Sequence, residues 1–352
     1  MSRYLLLILL AALILKANLL KAQIAPNFLV EDAIDTESLI GVDCDWCKPG
    51  LKNKSRSRGL DIAYQALGNS FFEETETPLK RPFPELDHLG LLILKIKIPL
   101  ILKDDFKLLV GASYRPEYYD IGNFTGNFEP EFAQIDGETM KSTAFQVLAT
   151  KALNEYSYLT LRLKTKFNGD YEGFVNFNKR YGIYTLSGMY GVKKSELLEW
   201  GVGLTINSSF RNRFIALPVF LYNRNFNQKW GIELFLPAIA KVRYNLSPKT
   251  ILLAGINFSS RNYRINVERP FDTTDFVMAD YVLRHSEIQM GIELEQKIVP
   301  WIWVNARVGY QTNFRTSFEA KNEFARSFEV EPTDAPFIRL GIFISPPDKM
   351  ME

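Results

Sequence analysis

Apolar and polar positions alternate in twos along much of the chain, most clearly in WGIELFLPAIAKVRYNLSPKTILLAGINF, residues 230–258. There Ile232, Leu234 and Leu236 share one face against Gly231 and Glu233. Past Pro237, Ala240, Val242, Tyr244 and Leu246 alternate with Lys241, Arg243 and Asn245. A turn at residues 247–249 follows, and then Leu252, Ala254, Ile256 and Phe258 alternate with Leu253, Gly255, Asn257 and Ser259. Successive side chains of a strand point to opposite sides, so a period of two means strand. In the most apolar run after residue 23, a helix would set Lys95 and Lys97 about 200° apart, with a charge turned to lipid. A strand keeps both on one face and gives Leu92, Leu94, Ile96, Ile98 and Leu100 to the other. One wet, charged face and one uniformly apolar face, repeated strand after strand, predict an all-β transmembrane antiparallel up-and-down barrel with lipid outside and water inside.

Strands are expected near 58–67, 87–101, 106–118, 141–152, 157–167, 181–193, 199–208, 213–223, 229–236, 239–246, 250–265, 281–296, 301–314 and 336–345. That makes about 14, or 12 if Pro237 only kinks one strand. Short connections (103–105, 154–156, 194–199, 225–228, 247–249, 297–300) alternate with mostly long ones (68–85, 119–140, 168–180, 270–280, 315–335). Barrels of the outer membrane have short periplasmic turns and long outer loops, which places both termini on the periplasmic side. Phe106, Tyr156, Trp200, Phe226, Trp230, Tyr244, Trp301 and Trp303 fall beside the short turns, and Tyr118, Tyr119, Tyr263, Tyr281 and Phe314 beside the long loops. Two aromatic girdles are expected at the membrane interfaces.

The N-terminus adds an address. Arg3, the apolar run 5–15 and Ala22 before Gln23 have the form of a secretory signal peptide over residues 1–22. Residues 23–56 form a polar extension running from EDAIDTESL through DCDWCKPG into KNKSRSR, and the barrel is expected over 57–352. The extension suits a periplasmic tail, a plug inside the barrel or a disordered leader. Cys44 and Cys47, in an exported chain, suggest a local disulfide. With 42 basic and 40 acidic residues the net charge is +2, unlike the basic footprint of a nucleic-acid binder. Two histidines and two cysteines leave little material for a metal site, and neither a metal nor a cofactor is expected.

KAQ at 21–23, the 230–258 run and the strand PFIRLGIFI at 336–344 are similar to uncharacterised bacterial outer-membrane β-barrel families whose signal ends in Ala-Gln. The resemblance covers most of the mature chain. It implies residence in the outer membrane, with membrane lipid and the barrel-assembly machinery as partners. Such barrels usually end on an aromatic that this machinery reads; here SPPDKMME follows Ile344.

The inward face should carry Lys95, Lys97, Lys107, Arg115, Arg162, Lys164, Lys166, Lys241, Arg243, Arg307 and Arg339 against Glu233, Glu287, Glu293 and Glu295. A basic lumen favours anionic solutes. An ion-paired interior with no open channel fits the same residues, because buried charges must be paired. His285 and Ser286 are adjacent and so point to opposite faces; His285 shares a face with Glu287, but no nucleophile joins them in sequence. His88 beside Asp87 at the outer rim is the other histidine. No catalytic constellation is expected. The reading is a small channel or binding barrel for small, anionic solutes, with a structural or adhesive barrel and a lipid-modifying barrel enzyme as alternatives.

Overall fold

The computed structural model describes residues 51, 54–74, 85–103, 105–122, 129–137, 139–208, 210, 214–270 and 275–345. Residues 1–22, where a signal peptide is expected, Cys44 and Cys47, most of residues 23–56 and the tail after Ser345 lie outside the described residues, as does the side chain of Phe314.

Fourteen antiparallel strands close into a ring. In chain order they are β1 (Leu60–Leu67), β3 (Glu85–Leu102), β4 (Phe106–Gly122), β5 (Thr139–Ala152), β6 (Ser157–Gly169), β7 (Gly182–Ser195) and β8 (Leu198–Ser208), followed by β9 (Phe214–Asn225), β10 (Trp230–Leu236), β11 (Ile239–Ser247), β12 (Thr250–Pro270), β13 (Phe276–Val299), β14 (Ile302–Ala320) and β16 (Ala335–Ile344). The ring closes because β1 pairs with β3 on one side and β16 on the other, from Leu60 against Ile344 to Leu67 against Phe337. Pro237 turns the chain, since β10 ends at Leu236 and β11 begins at Ile239, so the count is fourteen and not twelve. Two short strands stand off the ring at its outer rim, β2 (Ser70–Glu74) and β15 (Phe328–Pro332), which pair with each other and with β3 and β14. They and helix α1 (Glu129–Ile135) fall where the sequence pattern suggested only loop.

Alternation sorts the side chains to the two faces. On β16, Ile338, Leu340 and Ile342 are 46%, 56% and 44% exposed, whereas Phe337 and Phe343, one step out of phase, are 4% and 1% exposed. Leaving such side chains in water costs about 1.5–3 kcal/mol each relative to burial, and the pattern repeats around the ring, so the outer surface is one for hydrocarbon. Tyr156, Phe226, Trp230 and Trp301 point outward beside the short turns. Trp303 does not. It stacks inside on Phe343 at 6.1 Å, because it is one residue out of phase with the outward Ile302 and Val304. Parity likewise separates outward Tyr118 from inward Tyr119, and turns Tyr263 and Tyr281 into the mouth.

The wall is uneven. β11 stops against Asn257, and beyond it β12 and β13 run on as a paired hairpin. The edge left bare needs a partner. It leans across the mouth to β6, which stands six places away around the ring: Arg264 bridges Gly169, and Asp170 N donates to Arg264 O at 3.2 Å. One face of this hairpin, with Tyr263, Ile265, Val267, Ala279, Tyr281 and Leu283, packs a dry core with Phe132 and Ile135 of α1, Tyr119, Phe318 and Phe328. The outer end therefore has an apolar roof.

Candidate functional site

Under the roof lies a cavity of about 990 Å³, counting space continuous with solvent. Its lining includes Lys95, Arg115, Lys164, Lys166, Arg261, Arg307 and Arg339 with one carboxylate, Glu287. These residues come from β3, β4, β6, β12, β13, β14 and β16, each from the inward parity of its strand. The cavity also touches Ala238 in the turn between β10 and β11, so it reaches the low stretch of the outer rim.

Its upper wall is a buried polar network. Glu117, fully buried, accepts the hydroxyls of Tyr119 at 2.9 Å and Tyr263 at 2.6 Å. It also faces Arg261 at 3.2 Å and Arg115 at 3.4 Å. Arg261 bonds on to Glu287, which accepts from Gln289 at 3.0 Å, and Gln289 in turn donates to Gln311 at 2.9 Å. Cross-strand neighbours explain the grouping, because Arg261 sits opposite His285, two residues from Glu287 on the same face of β13. His285 holds Glu287 at 2.9 Å through Nε2 and Thr316 at 2.7 Å through Nδ1. Thr316 comes from β14 directly opposite His285, a neighbour that only strand pairing brings there. Ser286 faces the other way and donates to Ser260 at 3.1 Å. His88, on the outer surface, meets the Tyr64 hydroxyl at 3.1 Å.

Below the cavity the sign changes. Glu233 sits 3.5 Å from Arg243, whose guanidinium lies over Gly231; a Cβ there would come within 2.3 Å of it. Glu293 is 3.6 Å from Lys241 and accepts from Asn305 at 2.9 Å. Glu199, absent from the sequence-derived list, accepts from Tyr158 and Asn223 at 2.8 Å each. Residues 54–58, the end of the basic run KNKSRSR, lie among these acids. Ser55 donates its N–H to Glu233 at 3.0 Å and its hydroxyl to the same carboxylate. Arg58 bonds Glu293 at 2.8 Å, Glu295 at 2.7 Å and Asp61 at 3.3 Å.

Of the remaining sequence-derived positions, Lys107 and Arg162 are buried on the inward face, where Arg162 donates to Gln146 at 3.0 Å, and Lys97 is half-buried on the inward parity of β3. Arg261, Glu117 and Asp61 were missed, yet each stands in phase with inward neighbours, so parity carried a signal for all three. Outside the wall, in the loop after β6, burial raises the Asp170 carboxyl above its usual range, partly offset by the N–H of Asn266 at 2.6 Å.

No curated protein matches the chain. Among solved structures it is similar to an outer-membrane channel from Pseudomonas putida F1 (12% identity, 83% of this chain and 98% of that one, TM-score 0.40). A FadL homologue from Pseudomonas aeruginosa (8%, 81% and 89%, TM-score 0.39) and LpxR from Salmonella typhimurium (9%, 80% and 99%, TM-score 0.33) are also similar. The model of a family described as a domain of unknown function, DUF6268, matches residues 149–345, more than half of the chain, and the protein belongs to that family.

Proposed function

We propose that this barrel sits in the bacterial outer membrane and admits small anionic solutes to its basic cavity, as a channel or a binding barrel. The observation that carries the reading is the lining itself, seven cationic side chains to one carboxylate. In a narrow low-dielectric passage such an excess concentrates anions and repels cations. Glu117 and Asp61 stand close enough to offset Arg115, Arg261 and Arg339 in part, and Lys95, Lys164 and Lys166 line the same cavity from β3 and β6. The test is conductance of the refolded, heat-modifiable protein in a planar bilayer under a salt gradient. A reversal potential of anion-selective sign is expected; cation selectivity, or silence both of the parent and of K54S/R56S/R58S, would sink the reading.

A second reading rests on the line Thr316, His285, Glu287, an order of hydroxyl, imidazole and carboxylate that acyl-transfer enzymes use. Hydrolysis of a lipid ester that is lost in both Thr316→Val and His285→Ala would support it. Hydrolysis that is absent, or unchanged in the variants, would remove it.

A further inference from the structure

The lower lumen holds a feature that the solute reading does not use. Its carboxylates, Glu233 on β10, Glu293 and Glu295 on β13 and Asp61 on β1, form a collar. β1 and β10 stand six places apart in the ring of fourteen, close to opposite sides. The chain's own segment 54–58 crosses between them. Ser55 is fixed at the β10 side by two hydrogen bonds to Glu233. Arg58 is fixed near the β1 seam by Asp61, Glu293 and Glu295. Arg56 lies over the ring of Trp303 at 5.3 Å and Arg58 over that of Phe343 at 4.5 Å, so aromatics on β14 and β16 hold the strap from the side. Lys54 is buried, and so is Leu51, three positions earlier.

We propose that residues 54–58 are a built-in plug that closes the periplasmic end of the lumen and sets the charge balance there, an inference that rests on the solute reading above. Lys54, Arg56 and Arg58 each bring a positive charge into a collar of carboxylates. With the strap seated, the lower lumen is nearly balanced and blocked; with it withdrawn, an acidic collar lies beneath a basic cavity. The strap thus decides both whether small ions pass and how strongly the passage prefers anions. Its attachment is by ion pairs, hydrogen bonds and cation–π contacts, with no strand pairing to the wall among the described residues, so it can leave without breaking the barrel.

Two variants test this in the full-length protein. K54S/R56S/R58S keeps the segment's length and removes its charges. S55C/E233C, made in a C44S/C47S background, allows a short bis-maleimide to tie the strap to β10. Crosslinking in the folded protein is expected, with conductance falling to silence, while the serine variant conducts several-fold more than the parent and its reversal potential moves toward cations. If the parent conducts and the serine variant matches it in conductance and selectivity, the plug is refuted and the anion reading stands. Absence of crosslinking in a heat-modifiable barrel likewise overturns the seating alone. If parent and serine variant are both silent, the solute reading itself fails, and the gate with it.

Discussion

The two ends of this barrel are obstructed by different chemistry. The outer end carries a roof whose hairpin is continuous with two wall strands and whose underside is a dry core of Ile265, Val267, Tyr281, Phe318 and Phe328. The inner end carries a strap held to the wall by Arg58, Ser55 and a ring of carboxylates. An apolar core resists removal because every exposed methylene costs free energy, about 0.8 kcal/mol each. A set of ion pairs that separates as a whole regains water and salt around every charge, which offsets much of the lost attraction. The roof belongs to the fold, and the strap behaves as a ligand that the chain carries with it.

The largest expected effect lies where the roof meets the charged cavity. Glu117→Ala removes the acceptor of two buried tyrosine hydroxyls and the carboxylate shared by Arg115 and Arg261, so that buried Arg261 keeps only Glu287 of these two acids. A destabilisation of about 3–5 kcal/mol is expected, read as a lower urea midpoint for loss of heat-modifiable migration. A midpoint equal to the parent's would mean that the network contributes little and that the roof stands on packing alone. Next comes packing itself. Ile265→Ala in the fully buried face of the hairpin should cost about 2–5 kcal/mol. Its mark should be early proteolysis of the outer loops before the wall opens; simultaneous loss of both would show roof and wall to be one cooperative unit.

At the inner end the expected changes are smaller. Lys241→Met removes one partner of Glu293 at 3.6 Å while Arg58 and Asn305 continue to hold that carboxylate. Because Glu293 keeps those two partners and Lys241 retains some exposure, the cost should be about 1 kcal/mol. The useful readout is comparative: a Lys241→Met midpoint shift as large as that of Glu117→Ala would erase the distinction between the two ends.

Wall and rim differed in how far the sequence disclosed them. Every ring strand was visible as alternation, because lipid on one side and water on the other select residues independently at each step, as with Lys241 against Val242. The rim was not. Phe328 and Val330 of β15 pack a local core, and their environment depends on α1 and on the leaning hairpin, which no two-residue period encodes. Among cavity residues, the inward parity of Lys164, Lys166 and Arg307 was readable, but who pairs with whom was not. Thr316 reaches His285 only through the register of β13 on β14, and Ser55 reaches Glu233 across 178 positions of sequence. Trp303 lies beside a short turn, where a girdle residue is expected, but its parity on β14 turns it inward onto Phe343.

The smallest expected effect tests what remains of that girdle. Trp230 and Tyr244 sit opposite each other on β10 and β11, with ring centroids 4.5 Å apart, at the short-turn edge of the apolar band. Such a pair contributes about 0.5–1.5 kcal/mol beyond the area it buries. Trp230 is also partly exposed, so in a bilayer its indole meets the headgroup layer. Trp230→Leu keeps an apolar side chain in the hydrocarbon and removes both the ring pair and the indole N–H. Stability in lipid should fall by about 1 kcal/mol, with a smaller loss in detergent micelles, which have no layered interface. Equal losses in the two media would assign the whole effect to the ring pair. A loss in lipid alone would assign it to the interface. Neither outcome should alter conductance, because β10 turns Trp230 away from the lumen that Glu233 faces.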